Sequence, residues 1–142
     1  MQAGDLIGVW MIRSFIMHDV ETGEQFEPWG ERPGGTLVLS DSGRMFAIIT
    51  ADGREPPSTD AEQAHAYRNM LSYTGPYRID PPNELVTTVD IAWHAPWIGT
   101  EQRRYCEMQG ETLVLTSAPL AMPGKDGQAR HVLAVVEWTR EA

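Results

Sequence analysis

Turn-forming residues punctuate this chain at short intervals, and their spacing limits what it can fold into. Glu21-Thr22-Gly23, Arg32-Pro33-Gly34-Gly35, Asp41-Ser42-Gly43, Asp80-Pro81-Pro82-Asn83, Gln109-Gly110-Glu111 and Gly124-Lys125-Asp126-Gly127 each supply residues that reach positive φ or fix φ at little cost. Between them lie strand-length runs rich in β-branched and aromatic residues: 6–18, 36–40, 44–50, 73–79, 84–93, 101–108, 112–117 and 129–139. About eight to nine strands in meander order predict an all-β, antiparallel up-and-down barrel, because closure removes the exposed edges of a sheet. At 142 residues the chain makes one domain, 1–142, around one core.

One segment breaks the strand pattern. Thr59-Asp60-Ala61-Glu62 is a capping box, in which the hydroxyl caps the backbone at Glu62 and the carboxylate reaches back. It predicts a short helix to about Ser72, with Ala64, Tyr67, Met70 and Leu71 on its apolar side and Gln63, Arg68 and Asn69 facing water. A lone helix inserted in a strand meander is expected to act as a lid over one end of the barrel.

Charge narrows the partners. Eleven Lys and Arg against 20 Asp and Glu give a net charge of −9, which repels phosphate backbones and anionic headgroups. Nucleic acid and membrane are therefore not expected partners. No basic region leads into an apolar core with a cleavage site, and no apolar run approaches the ~20 residues of a bilayer span. A soluble, cytoplasmic protein is expected. His18, His65, His94 and His131 stand far apart without metal-ligand spacing, and no Gly-rich phosphate loop is present, so neither metal nor cofactor is expected. The single cysteine, Cys106, lies in a predicted strand and reads as a small buried residue rather than a nucleophile.

Gly8-Val9-Trp10, Gly35-Thr36-Leu37-Val38-Leu39 running into Asp41-Ser42-Gly43-Arg44-Met45, Tyr73-Thr74-Gly75-Pro76-Tyr77, Trp97-Ile98-Gly99-Thr100-Glu101-Gln102-Arg103-Arg104-Tyr105 and Glu137-Trp138-Thr139-Arg140 occur in this order along the chain. In these motifs the chain resembles the bacterial and fungal lipocalin-like domain family, a calycin-type β-barrel, over nearly its whole length. The resemblance implies a helix near the barrel mouth and an interior that holds a ligand. It also implies that Trp10 plugs the closed end with a basic side chain, here Arg140, laid across it. Such domains are expected to carry a histidine two residues before an acidic residue in the strand near position 90. This chain has Thr88 and Asp90 there, and His94 is a substitute imidazole from another place.

Strand alternation puts Thr88, Asp90, Ala92 and His94 on one face and Val89, Ile91 and Trp93 on the other, unless a bulge intervenes. The apolar face ordinarily points inward; the family resemblance favours the face carrying Asp90 and His94. Trp93 and Trp97 suit either barrel packing or a ligand-facing wall. Tyr67, Tyr73, Tyr77 and Tyr105 each pair an apolar ring with a polar tip suited to orienting a ligand. Gln102 and Arg104 share a face opposite Arg103 and Tyr105, which leaves one of the two arginines as a solvated charge. Gly75 and Gly99 read as structural, at barrel corners.

Two functions follow. In the first, a hydrophobic small-molecule ligand sits unchanged beneath the helix, held by Tyr67, Tyr77, Trp93, Trp97, Gln102 and Arg104. In the second, a cofactor-independent isomerase, cyclase or lyase acts on a polyketide, terpenoid or aromatic metabolite. Asp90 is then the base, His94 its alternative or the acid, and Tyr73 or Tyr105 the oxyanion donor. Passive binding ranks slightly first, since no spacing defines a reaction. A third reading is an interaction domain with Trp29, beside Pro28 and Gly30, as an outward-facing anchor. A homodimer through a flat sheet face is compatible with the barrel, though no sequence feature fixes the oligomeric state.

Overall fold

The computed structural model describes residues 1–123 and 129–141. The turn expected at Gly124-Lys125-Asp126-Gly127 lies outside the described residues. The strands are β1 (Gly8–Asp19), β2 (Gln25–Phe26), β3 (Gly34–Leu39), β4 (Arg44–Thr50), β5 (Met70–Asp80), β6 (Glu84–Thr88), β7 (Ile91–Ala92), β8 (Glu101–Gln109), β9 (Thr112–Ser117), β10 (Leu120–Pro123) and β11 (Ala129–Arg140), with one helix, α1 (Asp60–Arg68). Eight of them, β1, β3, β4, β5, β6, β8, β9 and β11, follow one another round a wall, and antiparallel pairing of β11 with β1 closes it. The barrel is therefore the up-and-down antiparallel one that the turn spacing predicts. Three short strands are added to this wall: β2 on β1, β7 on β5 and β10 on β11.

Alternation sorts the wall into an inner and an outer face. Leu37, Leu39, Met45, Ala47, Ile49, Leu85, Leu113, Leu115, Val136 and Trp138 form the buried cluster at intervals of two along their strands. On β6, Val86 faces outward yet is also buried. Its cross-strand neighbours are Arg78 and Arg103, whose guanidiniums join Asp80, Glu84 and Glu101 in a network of ion pairs at 2.9–3.4 Å on the outer surface. The arginine stems thus replace a second apolar layer, while the charged heads remain wet.

One end of the barrel is sealed. Trp10 is fully buried, and its indole N–H donates to the Leu6 carbonyl at 2.9 Å. Arg140 lies over the ring at 4.3 Å and donates to the carbonyls of Ile7 and Asp5 at 2.8 and 2.7 Å. This is the cation–π contact that the family resemblance implies. Gly8 permits it, since a Cβ there would stand 2.7 Å from the Arg140 Nη1.

The helix is shorter than its apolar spacing predicts. Thr59 caps it as expected, with the Glu62 N–H donating to Oγ1 at 3.1 Å and the Glu62 carboxylate accepting from the Thr59 and Ser58 backbones. It stops at Arg68, and Met70, Leu71 and Ser72 instead begin β5, opposite Thr50, Ile49 and Ile48 of β4. Sheet pairing wins here because it places Met70 and Leu71 against the barrel interior, whereas α1 itself contains no buried residue. The helix is a rim element beside the mouth rather than a plug.

Candidate functional site

A cavity of about 450 Å³ opens at the end opposite Trp10. Its wall is drawn from nearly every barrel strand: Phe15 and Met17 of β1, Leu37 of β3, Ala47 and Ile49 of β4, Leu71 and Tyr73 of β5, Leu115 and Ser117 of β9, and Ala134, Val136 and Trp138 of β11. Trp29, Arg68, Trp93, Trp97 and Leu120 complete it near the mouth, and β8 contributes Gln102 and Arg104. Volumes of this order suit a small organic ligand held on an apolar wall by a few polar groups.

An aromatic series runs from the rim inward. Tyr67 of α1 packs on Trp93 at 6.2 Å, Trp93 meets Trp97 edge-on at 5.0 Å, and Trp97 meets Tyr73 edge-on at 5.1 Å. Edge-to-face contacts at these separations satisfy the ring quadrupoles and hold each ring in one orientation. The Trp93 indole N–H donates to the Tyr67 carbonyl at 3.1 Å, and the Tyr67 hydroxyl lies 2.8 Å from His94 Nδ1. Helix and mouth loop are thereby tied together at the rim. A second pair, Phe15 and Trp29 at 4.8 Å, stands on the facing side. Trp29 therefore packs against the core and lines the cavity, and does not serve as the outward anchor expected from its Pro-Trp-Gly setting.

The predicted strand 84–93 is two strands with a break between them. Tyr77 pairs with Thr87, so an unbroken ladder would set Thr74 opposite Asp90; instead Thr74 faces Ile91 and Tyr73 faces Ala92. The extra residue shifts the register by one, which exchanges the two faces beyond it. Val89 and Ala92 consequently both pack on the core, while Asp90 and Ile91 both turn outward, Ile91 at 65% exposure. Gly75 makes room for the crossing chain: a Cβ on it would fall 1.9 Å from the Thr88 carbonyl oxygen.

Asp90 ends up on the outer surface, away from the cavity lining. Arg44 grips it through two hydrogen bonds of 2.9 and 2.7 Å. Hydrogen bonding to that guanidinium is the main influence lowering the Asp90 pKa; desolvation opposes it, and the Arg44 charge adds a smaller lowering effect. His94 begins the 3-10 turn Ala95–Trp97 and meets Tyr67 at the rim. The geometry therefore does not bring Asp90 and His94 to one point inside the barrel.

The other candidates separate by face. Tyr73, Trp93, Trp97, Gln102 and Arg104 line the cavity. Tyr105 is 53% exposed on the outer face of β8. Tyr77 packs against the core, where its hydroxyl donates to the Ser40 carbonyl at 2.8 Å, and burial followed by the nearby Asp41 charge raises its pKa. Cys106 is buried, and desolvation pushes its thiol up to about 11, which suits a packing residue. Lining groups that escaped the pattern of the sequence include Arg68, placed on the wet side of its helix; Trp29, in an irregular segment; and Ala134, one small residue in an apolar strand.

No curated protein gives a significant sequence match to this chain. The family model described as a lipocalin-like domain matches residues 7–141, from just before β1 to just after β11. The barrel, its sealed end and that match agree, and the chain belongs to the lipocalin-like domain family.

Proposed function

We propose that this protein binds a small, largely apolar molecule inside the barrel and releases it chemically unchanged. The observation that carries the reading is the cavity itself, about 450 Å³ walled by aliphatic and aromatic side chains in a chain otherwise packed to a closed floor. A well-packed domain of this size has few voids larger than a water molecule, so an apolar space of this volume calls for an occupant. Acid–base catalysis has less support: Asp90 is held by Arg44 on the outer surface, and the carboxylate of Glu101 at the cavity margin is taken by Arg78 and Arg103.

A titration with N-phenyl-1-naphthylamine, a neutral apolar fluorophore, tests the proposal. Saturable enhancement at one site is expected, with blue-shifted emission. Ala134→Phe puts a ring into the cavity from the middle of β11 and is expected to weaken the probe at least tenfold while leaving the circular dichroism of the barrel intact. Equal affinity in the two proteins would place the probe elsewhere and remove the support for an internal ligand. Mass spectrometry of retained compounds, compared before and after incubation, separates binding from conversion.

A further inference from the structure

The polar groups of the cavity wall have an unbalanced sign. Arg104 sits on the inner face of β8 between Leu85 and Ser117, both buried, so its stem crosses the interior rather than the surface. Its guanidinium donates to the Arg103 carbonyl at 2.8 Å and, at 3.4 Å, to Oε1 of Gln102. A guanidinium has five N–H donors, and no carboxylate lies within ion-pair distance of this one among the described residues. Its neighbour Arg103, facing outward, meets Glu84, Asp80 and Glu101. The two adjacent arginines thus have opposite fates, one neutralised and one not.

A second observation has the same sign. Trp138, four residues beyond Ala134 towards the sealed end, also lines the cavity, is 2% exposed, and its indole N–H has no acceptor among the described residues. Both deficits lie on the donor side: the indole N–H has no acceptor, and the guanidinium has two neutral acceptors and no anionic one. Leaving such groups unpaired in a largely apolar space is costly, more so for a charge than for a neutral N–H. The acidic whole molecule does not correct this locally: the Glu101 carboxylate at the cavity margin is taken by Arg78 and Arg103, and buried Asp19 by Arg130.

We infer that the cavity is built for an apolar anion, a carboxylate carried on a hydrocarbon or aromatic body, with Arg104 as the residue that receives the carboxylate. The inference rests on the binding function proposed above and narrows its ligand class. A planar guanidinium matches a carboxylate through paired N–H donors, and the surrounding apolar wall strengthens the bond by excluding water. A primary amine meets an uncompensated cation there. An alcohol offers an acceptor without the charge.

Displacement of N-phenyl-1-naphthylamine by dodecanoate, 1-dodecanol and dodecylamine at pH 8 tests this, each kept below its aggregation limit. For the wild-type protein, dodecanoate is expected to bind at least tenfold more tightly than dodecylamine. In Arg104→Met, which keeps an unbranched apolar stem, the ratio of dodecanoate to dodecanol affinity, both measured on the same variant, is expected to fall tenfold or more below the wild-type ratio. Wild-type protein that binds the fluorophore but takes the amine as well as the acid would overturn the anion inference and leave the cavity reading standing. Wild-type protein that binds neither the fluorophore nor any of the three chains overturns both. The wild-type comparison decides the matter by itself if Arg104→Met does not fold, and Arg104→Lys, retaining charge without the planar fork, is expected to fall between the two.

Discussion

Single side chains at the ends of the barrel carry more of its stability than their position in the sequence suggests. Arg140 stands two residues from the end of the chain, yet it covers the Trp10 ring and satisfies two carbonyls of the N-terminal turn. Arg140→Ala is expected to cost about 2 kcal/mol in chemical denaturation, from the combined loss of a cation–π contact and charge-assisted hydrogen bonds. Asp19 does similar work where β1 ends. Its Oδ1 accepts from the Glu21 and Thr22 backbones at 2.9 Å each, and Oδ2 accepts from Arg130 at 2.7 Å. The Thr22 N–H contributes most to holding its pKa below the ordinary 3.8, joined by Arg130 and the Glu21 N–H, against desolvation. A carboxylate with a depressed folded pKa stabilises fully above its unfolded value and loses that contribution as pH falls through the folded one. Melting temperature followed from pH 6 to pH 2 is therefore expected to fall less steeply in Asp19→Asn than in the wild type, the two curves converging at the acid end. Parallel curves throughout would show that Asp19 does not couple folding to protons.

Among elements, the strands were legible wherever a turn signal bounded them, and β4 and β9 have the limits expected from their flanking Asp-Ser-Gly and Gln-Gly-Glu turns. What stayed hidden was any feature set by a partner strand. The apolar spacing of Tyr67, Met70 and Leu71 fits a helix, but Met70 and Leu71 are taken by β4, and nothing in their own segment announces that pairing. The break at Val89-Asp90 has the same origin. Residues 84–93 alternate well enough for one strand; the register shift arises because the chain crosses Gly75 of β5 at close range. Gly75→Ala is accordingly expected to destabilise the barrel by about 3 kcal/mol, since a Cβ would press on backbone rather than on a movable side chain. Urea denaturation gives the value. A change under 0.5 kcal/mol would mean that the crossing relaxes freely.

At the scale of the whole molecule, fold and site were unequally readable. The barrel follows from turn spacing and closure, and both are local statements repeated along the chain. The cavity follows from which inner positions hold small or displaced side chains, and that is a sum over eight strands. Trp93, Trp97, Gln102 and Arg104 were within reach because they fall in one short stretch dense with aromatic and polar groups, whereas Ala134 and Trp29 acquire meaning only beside residues far away in sequence. Asp90 illustrates the limit: one added residue in β5's neighbouring strand was enough to carry it to the outer face. The sealed floor has a kinetic corollary. With Trp10 and Arg140 closing one end, the guest of the proposed binding function would arrive and depart by the same passage, past Trp93 and Arg68. A rival molecule could not push it out from behind, so departure is expected to be a first-order event whose half-life is set by the rim and is independent of how much competitor waits outside.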